Sequence, residues 1–469
     1  MKIYPNLKLL KNNATFLTFL STLSRFGIGL AVLPVMLLKF NSYEISLWLF
    51  LTTLLSLISL ASFGFGQSTV RCINYFISGY PEIPKSINQF NFESEKLKQN
   101  QPINKKGIGD ILFLTSKVYI VLCVLSIFLI SSLGVLVSWN IMSLGNHSFQ
   151  NWASFALVGL IAILRIQFSR LVSIIEGFNQ VAKIRLLESS FGLIKILLFL
   201  SFIILGFEII HLFLIELFLQ ILANFRSNKL IKKIITKENI SYSKTFNFEM
   251  LNQIWPSTWR YGLMLFSSYF INNGTILVVA QLSDTIIISS YLLTVRVLMI
   301  IRSLTISQFN ANYPYLIRLV VSKDFLSIKI LLTSIIRNSL TLLTLSLLFI
   351  YFFGNDIINI LSKDIQILEN YLFIIMSIGI FLETHHGIHA NIYLSTNHVP
   401  FLWPGFISGI LIILISSILI QTYGLLGIVL TQFFIQLSFN NWFSVYLNLK
   451  LLKWNFSEYS LNVLNLKSV

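Results

Sequence analysis

The sequence predicts an all-α, polytopic membrane protein with about twelve transmembrane helices in two six-helix lobes. Three observations carry this. Only 11% of the 469 residues are charged, against about 25% in a soluble protein. Apolar segments of about 20 residues recur along the whole chain, each able to cross a hydrocarbon core of about 30 Å. Lysines and arginines are also sorted sharply between alternate loops. The mean hydropathy of +0.78 agrees, and nothing alternates with the short period of a β-barrel.

The elements follow in order. The basic start "MKIYPNLKLLKNN" lacks the short apolar core and small-residue cleavage site of a secretory signal and reads as a cytoplasmic lead. Spans are expected at 13–38, 45–66, 111–137, 152–175, 189–206 and 209–223. A second set is expected at 256–280, 286–309, 330–352, 368–390, 403–420 and 424–446. This divides the chain into a lobe over 1–224, a basic cytoplasmic linker over 225–250, a lobe over 251–448 and a cytoplasmic tail over 449–469. With the N-terminus inside, only Lys39 and Lys363 of the 34 Lys and Arg fall in outside loops. That is the positive-inside pattern. The tryptophans, among them Trp48, Trp139, Trp255 and Trp403, lie near predicted helix ends, where amphipathic rings favour the interface.

Two cytoplasmic loops are longer, 78–107 and 225–249, and both are basic. The second reads as a solvated linker that fixes topology, with a lipid-headgroup patch as the other reading. Arg25-Phe26-Gly27 and Arg260-Tyr261-Gly262 open the first span of each half. A parallel repeat of six plus six spans would look like this.

The stretch "FLTFLSTLSRFGIGLAVLPVMLL" places Arg25 near the middle of a span. An arginine there costs about 2.5–3.5 kcal/mol on insertion scales, which the surrounding Leu and Ile can absorb. The cost falls if the side chain faces a wet cavity. Lys117, Lys195 and Arg170 lie close enough to the cytoplasmic ends for their stems to snorkel, and Arg260 is near that limit. Arg25, Arg165, Arg296 and Arg337 lie deeper, and Arg302 continues the ladder from Arg296. Against these cations stand Glu216 and Glu383 well inside spans, with Glu176, Glu188 and Glu208 near ends. The cations outnumber the acids, so a positive-walled aqueous passage is expected, one that attracts anions. Arginine suits phosphate because its planar fork engages two oxygens.

In "FLETHHGIHANIYLSTNHVP", His385 and His389 are spaced i, i+4, and Glu383 and His386 are spaced i, i+3. These are either polar wall residues near the cytoplasmic mouth or a proton relay. Glu216, Glu383, His386 and His389 are therefore the ion-coupling candidates. The HExxH zinc pattern is absent. Cys72 and Cys123 form no disulfide framework and no metal spacing. No cofactor is expected beyond a proton or sodium gradient.

Several stretches together resemble the polysaccharide-export, O-antigen flippase-type transporters, within the superfamily that also holds multidrug-and-toxin exporters and lipid II flippases. They are Arg25 followed by Pro34, the outside turn "FNSYEISLW", "SFGFGQSTVR", "IIEGFNQVAKIRLLES" and "QTYGLLGIVLTQ". The pattern is diffuse and covers nearly the full length. One departure is Ser62-Phe63 before the glycine pair, where many relatives carry an Asp, so no role of that acid transfers. The resemblance implies a flippase that moves an undecaprenyl-diphosphate-linked oligosaccharide across the bacterial cytoplasmic (inner) membrane by alternating access. Arg25, Arg165, Arg260, Arg296, Arg302 and Arg337 would then hold the anionic head group. The expected partners are the lipid-linked oligosaccharide, membrane lipids and other polysaccharide-export proteins. No nucleic acid is expected, and the protein is expected to be a monomer. A drug exporter of the same superfamily is the alternative, although its first span should carry an acid where this chain has Arg25. A membrane polymerase or ligase is the other, although the outside loops are short and show no acid-base constellation.

Overall fold

The computed structural model describes residues 27–59, 64–77, 79–80, 102–143, 148–321, 324–362, 364–394 and 400–464, with Leu17, Leu20, Ser21 and Ser24 before them. Among the described residues there is no β-strand. A π-helical stretch Ile28–Val32 leads into α1 (Leu33–Lys39). Then come α2 (Ser42–Ser59), α3 (Phe65–Ile77), α4 (Lys105–Leu129), α5 (Val135–Ser143) and α6 (Ser148–Gly177). They are followed by α7 (Val181–Ile204), α8 (Ile209–Glu238), α9 (Phe248–Val279), α10 (Thr285–Thr305) and α11 (Ser307–Val321). The chain ends with α12 (Phe325–Leu361), α13 (Asn370–Leu394), α14 (Leu402–Ile435), α15 (Asn441–Leu451) and α16 (Phe456–Val463). Nine described helical segments are long and apolar enough to cross a membrane, and one of them, Leu402–Leu451, covers two expected spans. The chain is an all-α multi-pass membrane protein. Part of the first expected span, Arg25 included, lies outside the described residues, and so do residues 60–63 of the second.

Local chemistry sets the helix boundaries. In the turn before α2, the Asn41 N–H donates to Glu44 and the Glu44 N–H donates to Asn41 Oδ1, both at 2.9 Å. This capping box satisfies two otherwise unpaired donors. Asp284 starts α10 by accepting from the Ile286 and Ile287 N–H groups. Asp324 starts α12, and its bonds with Ser327 hold its carboxyl below the ordinary carboxylate range. Glycine carries two sharp features. Gly64, at φ +77°, lies where a Cβ would sit 2.8 Å from the Thr258 carbonyl oxygen, so α3 approaches α9 closely. Gly424, at φ 56° and ψ −140°, breaks α14 inside an otherwise continuous helical run. That break falls between the expected spans 403–420 and 424–446.

The chain forms two compact units. One comprises residues 1–39 and 50–266, the other 40–49 and 267–469. In the first, α6 packs along α8, α3 and α4. One core of this unit joins Ile73 and Phe76 of α3, Ile108 and Ile111 of α4, Ile174 of α6 and Ile231 of α8. In the second, α13 packs on α12, α14 and α15, with Ile335, Ile336, Ile388, Leu449 and Tyr459 in its core. The outer faces stay apolar, as with Val124 and Phe128 on α4 and Phe349 and Phe352 on α12. Lipid, unlike water, exacts no cost for such exposure.

Two stretches differ from the sequence expectation. The basic segment after residue 224 is helical as far as Glu238. Ser227, Ile231 and Ile235 point into the core at i, i+4 and i+8, while Arg226, Lys229, Lys233 and Lys237 face outward. The high charge of this stretch hides its buried stripe. The tail also forms α16, whose Tyr459 is buried.

Candidate functional site

Each unit holds a carboxylate gripped by arginine, Glu216 in the first and Glu383 in the second, and in the first unit Arg185 also pairs with Glu176 at 2.5 Å and Glu188 at 2.7 Å. In the first unit, Glu216 of α8 pairs with Arg165 of α6 through Oε1. Lys195 Nζ of α7 lies 3.7 Å from the same oxygen. The Glu216 side chain is 7% exposed and that of Arg165 30%, so the guanidinium stands between the carboxylate and more open space. Two cations on one carboxylate leave the centre one charge positive. Polar neighbours extend it, since Asn224 Nδ2 donates to the Leu164 carbonyl at 3.0 Å and Gln220 donates to Asn224.

In the second unit, Arg302 Nη1 of α10 lies 2.9 Å from Glu383 Oε1 of α13. The same nitrogen donates to Asn272 Oδ1 of α9 at 3.3 Å. The guanidinium passes beside Gly387, where there is no Cβ to crowd it. Glu383 also lines a partly open cavity of about 60 Å³ formed by α9, α10, α13, α14 and the turn after α14, room for several waters at about 10–15 Å³ each. Its wall is mostly apolar, with Leu298, Met299, Ile380 and Phe433. The polar lining is Asn272, Glu383, Gln432 and Gln436. Gln432 Nε2 donates to the Ile271 carbonyl. Gln436 is 6% exposed, and its Oε1 is buried without a hydrogen-bond partner. Gln436 opens a π-helical turn, Gln436–Asn440, a distortion that often marks functional positions.

The remaining arginine candidates lie elsewhere. Arg25 falls outside the described residues. Arg296 is half-buried on α10, one face round from Arg302, with no ion pair or hydrogen bond among the described residues. Arg260 is exposed, its guanidinium 5.7 Å from the Trp259 ring centroid. Arg337 is half-buried on α12. Two further arginines belong with them. Arg71 sits on α3, exposed, with Nη2 reaching Ser68 Oγ at 3.4 Å. Ser68 in turn bonds Thr258 of α9 at 2.6 Å. Cys72, Ile73 and Phe76 around Arg71 have the spacing of a half-buried helix. Arg170 buries its Nε without a partner.

The histidines are drawn into the C-terminal packing. His389, fully buried, contacts Tyr459 Oη through Nε2 at 2.9 Å and Asn448 Nδ2 through Nδ1 at 2.8 Å. His385 Nε2 reaches the same hydroxyl at 2.5 Å. With Asn448 donating, His389 must donate to Tyr459, which leaves the hydroxyl proton for His385. His386 Nδ1 bonds the Leu382 carbonyl of its own helix, and it is close enough to Glu383 and Arg302 to feel both charges. Among the described residues, no three His, Cys, Asp or Glu converge as a metal site.

The architecture matches solved transporters. One is a structure of the lipid II flippase MurJ in an inward closed conformation, with a TM-score of 0.63 and 15% identity, covering 97% of this chain and 90% of that one. A second is an inward-facing multidrug resistance MATE family transporter of the MOP superfamily, with a TM-score of 0.60 and 14% identity over 94% of this chain and 96% of that one. A third is a MOP superfamily transporter from Pyrococcus furiosus, described by a reversed polarity of its binding pocket. Its TM-score is 0.54 at 13% identity, over 97% of this chain and all of that one. No protein-family model and no curated protein sequence matches this chain. The fold is thus that of the MOP superfamily transporters, the superfamily to which the sequence resemblance pointed.

Proposed function

We propose that this protein is a flippase of the bacterial cytoplasmic membrane that moves a polyprenyl-diphosphate-linked oligosaccharide between leaflets by alternating access. The observation that carries the reading is the charge balance inside the apolar helices. Glu216 and Glu383 are each already engaged by cations, and Arg260 and Arg296 have no carboxylate among the described residues. A guanidinium held in a membrane without a counter-anion is costly unless something anionic visits it. A diphosphate offers oxygens in the planar geometry that an arginine fork binds. Arg25, Arg165, Arg260, Arg296, Arg302 and Arg337 are the residues assigned to that head group. Arg71 joins them because it lies on α3 near Tyr261, the neighbour of Arg260. A pocket of reversed polarity in one MOP neighbour is consistent with this fold carrying cargoes of more than one charge.

Membrane lipids, and other proteins of polysaccharide export, complete the proposed setting, with a proton or sodium gradient as the drive. The same fold serves a multidrug transporter, and the arginine surplus of this chain disfavours a cationic cargo. The test is complementation of a flippase-null strain, scored as surface polysaccharide. The wild-type chain should restore export, and Arg296→Ala and Arg25→Ala should each reduce it at least tenfold, the loss expected when a charge-assisted bond of about 1.5–3 kcal/mol is removed. Failure of the wild type with several different repeat units, together with cation-drug resistance in the same cells, would replace this reading with the multidrug one.

A further inference from the structure

Resting on the reading that the cargo has an anionic head, we infer that the Arg302–Glu383 pair is an exchangeable one. The cargo's phosphate takes Glu383's place on Arg302, and Glu383 then takes a proton and turns to Gln436. The cavity in the second unit is in this sense a proton-binding site loaded by the arrival of the anion.

The geometry supplies each part. Arg302 is the more exposed partner, with 23% of its side chain accessible against 12% for Glu383. An anion therefore reaches the guanidinium before it reaches the acid. A guanidinium has five N–H donors, but phosphate and carboxylate side by side on it would repel each other. Once Arg302 turns to phosphate, Glu383 faces a mostly apolar wall. A bare carboxylate there is costly, whereas a protonated one needs only an acceptor. Gln436, which lines the same cavity, offers one, because its Oε1 is buried and unpartnered. An orphaned acceptor of this kind in a native interior calls for an explanation. A carboxylic O–H from Glu383 provides it.

The step balances. One proton comes from the aqueous phase, the Arg302–Glu383 ion pair breaks, an Arg302–phosphate pair forms, and the new O–H donates to Gln436 Oε1. On cargo release the sequence reverses and the proton leaves. The charged and titratable groups facing Glu383 are few. Helix α10 contributes Arg302, α13 contributes His386, and α9, α14 and the π-helical turn contribute only the neutral amides Asn272, Gln432 and Gln436. The first unit lacks this arrangement, since Lys195 would still hold Glu216 if Arg165 let go.

The test uses the purified full chain in detergent with inorganic pyrophosphate as the probe, reading binding by calorimetry and proton uptake with a pH dye in weak buffer. Wild type should take up about one proton more per pyrophosphate bound than Glu383→Gln does, because linkage ties the two events. Its binding should strengthen as pH falls, relative to that variant. Glu383→Gln frees Arg302 permanently and should bind pyrophosphate about tenfold tighter at neutral pH. Gln436→Met preserves volume and removes the acceptor. It should reduce both proton uptake and affinity in the wild-type background and change neither in the Glu383→Gln background. Equal proton uptake by wild type and Glu383→Gln, with pyrophosphate still bound, would overturn the exchange and leave the anionic cargo standing. Absence of pyrophosphate binding to every form would overturn both.

Discussion

Glu216, buried, and Glu383, half-buried, are two acids of one type in long apolar helices, each facing an arginine, yet they are built for different ends. Glu216 is clamped by Arg165 on one side and Lys195 on the other, with an amide ladder through Gln220 and Asn224 close by. Glu383 has a single cation, and behind it lies a cavity with an unsatisfied acceptor. Burying an ion pair yields little net stability, but removing one partner is costly because the other stays behind uncompensated. The number of cations around each acid therefore predicts which centre is a staple and which can change partners.

The largest effect should come from the staple. Glu216→Gln leaves Arg165 and Lys195 facing each other with no anion between them. The expected loss is about 3 kcal/mol, near the lower end for a broken buried pair because Arg165 keeps some exposure. It would be read as a lowered unfolding midpoint in detergent and poor yield. Replacing Arg165, Lys195 and Glu216 together with apolar residues should recover most of it. If the single substitution were silent, the distinction between the two centres would collapse.

Glu383→Gln should be milder, about 1–2 kcal/mol, because it frees one cation where Glu216→Gln frees two, and that arginine keeps Asn272. The informative result is the ranking under identical conditions. A loss at Glu383 as large as that at Glu216 would mean that the second centre is also a staple.

How far this contrast was readable beforehand depends on the level asked about. Helix positions were legible because hydropathy and charge report directly on the lipid environment, and the expected spans over 111–446 coincide with helices. The charges themselves were legible too, since Arg165 and Arg302 lie within long apolar helices. Partnership was not. Arg165 and Glu216 are 51 residues apart on helices whose rotation no periodicity revealed, as both helices are apolar nearly all round. Gln436 carried no signal at all, because an unpartnered amide oxygen is a property of packing. The Tyr459 hydroxyl, held by two histidines, was hidden for the same reason. Charge-rich stretches misled in the opposite direction. The lysines after Ala223 obscured a buried stripe.

Lys195→Met tests the contrast from the other side. It reduces the first centre to one acid and one arginine, the composition of the second. The stability cost should stay within about 1 kcal/mol, since Lys195 is the more distant cation at 3.7 Å and also rests near the Phe199 ring. The variant should still take up no proton on pyrophosphate addition beyond wild type, because there is no second acceptor waiting beside Glu216. Extra uptake would mean that losing a cation is sufficient for exchange and that the cavity is dispensable.

The smallest effect should be that of Asn272→Ala. Its Oδ1 accepts from the same Arg302 nitrogen that faces Glu383, at a longer 3.3 Å. A bond of that length shared with a strong ion pair contributes about 0.5 kcal/mol, near the resolution of a thermal shift. Its value is positional. Asn272 holds the guanidinium in place while the carboxylate lets go, so its removal should weaken pyrophosphate binding in wild type and in Glu383→Gln alike. A residue that only stabilised the Arg302–Glu383 pair would show its effect in wild type alone, and that outcome would assign Asn272 to the pair and not to the arginine.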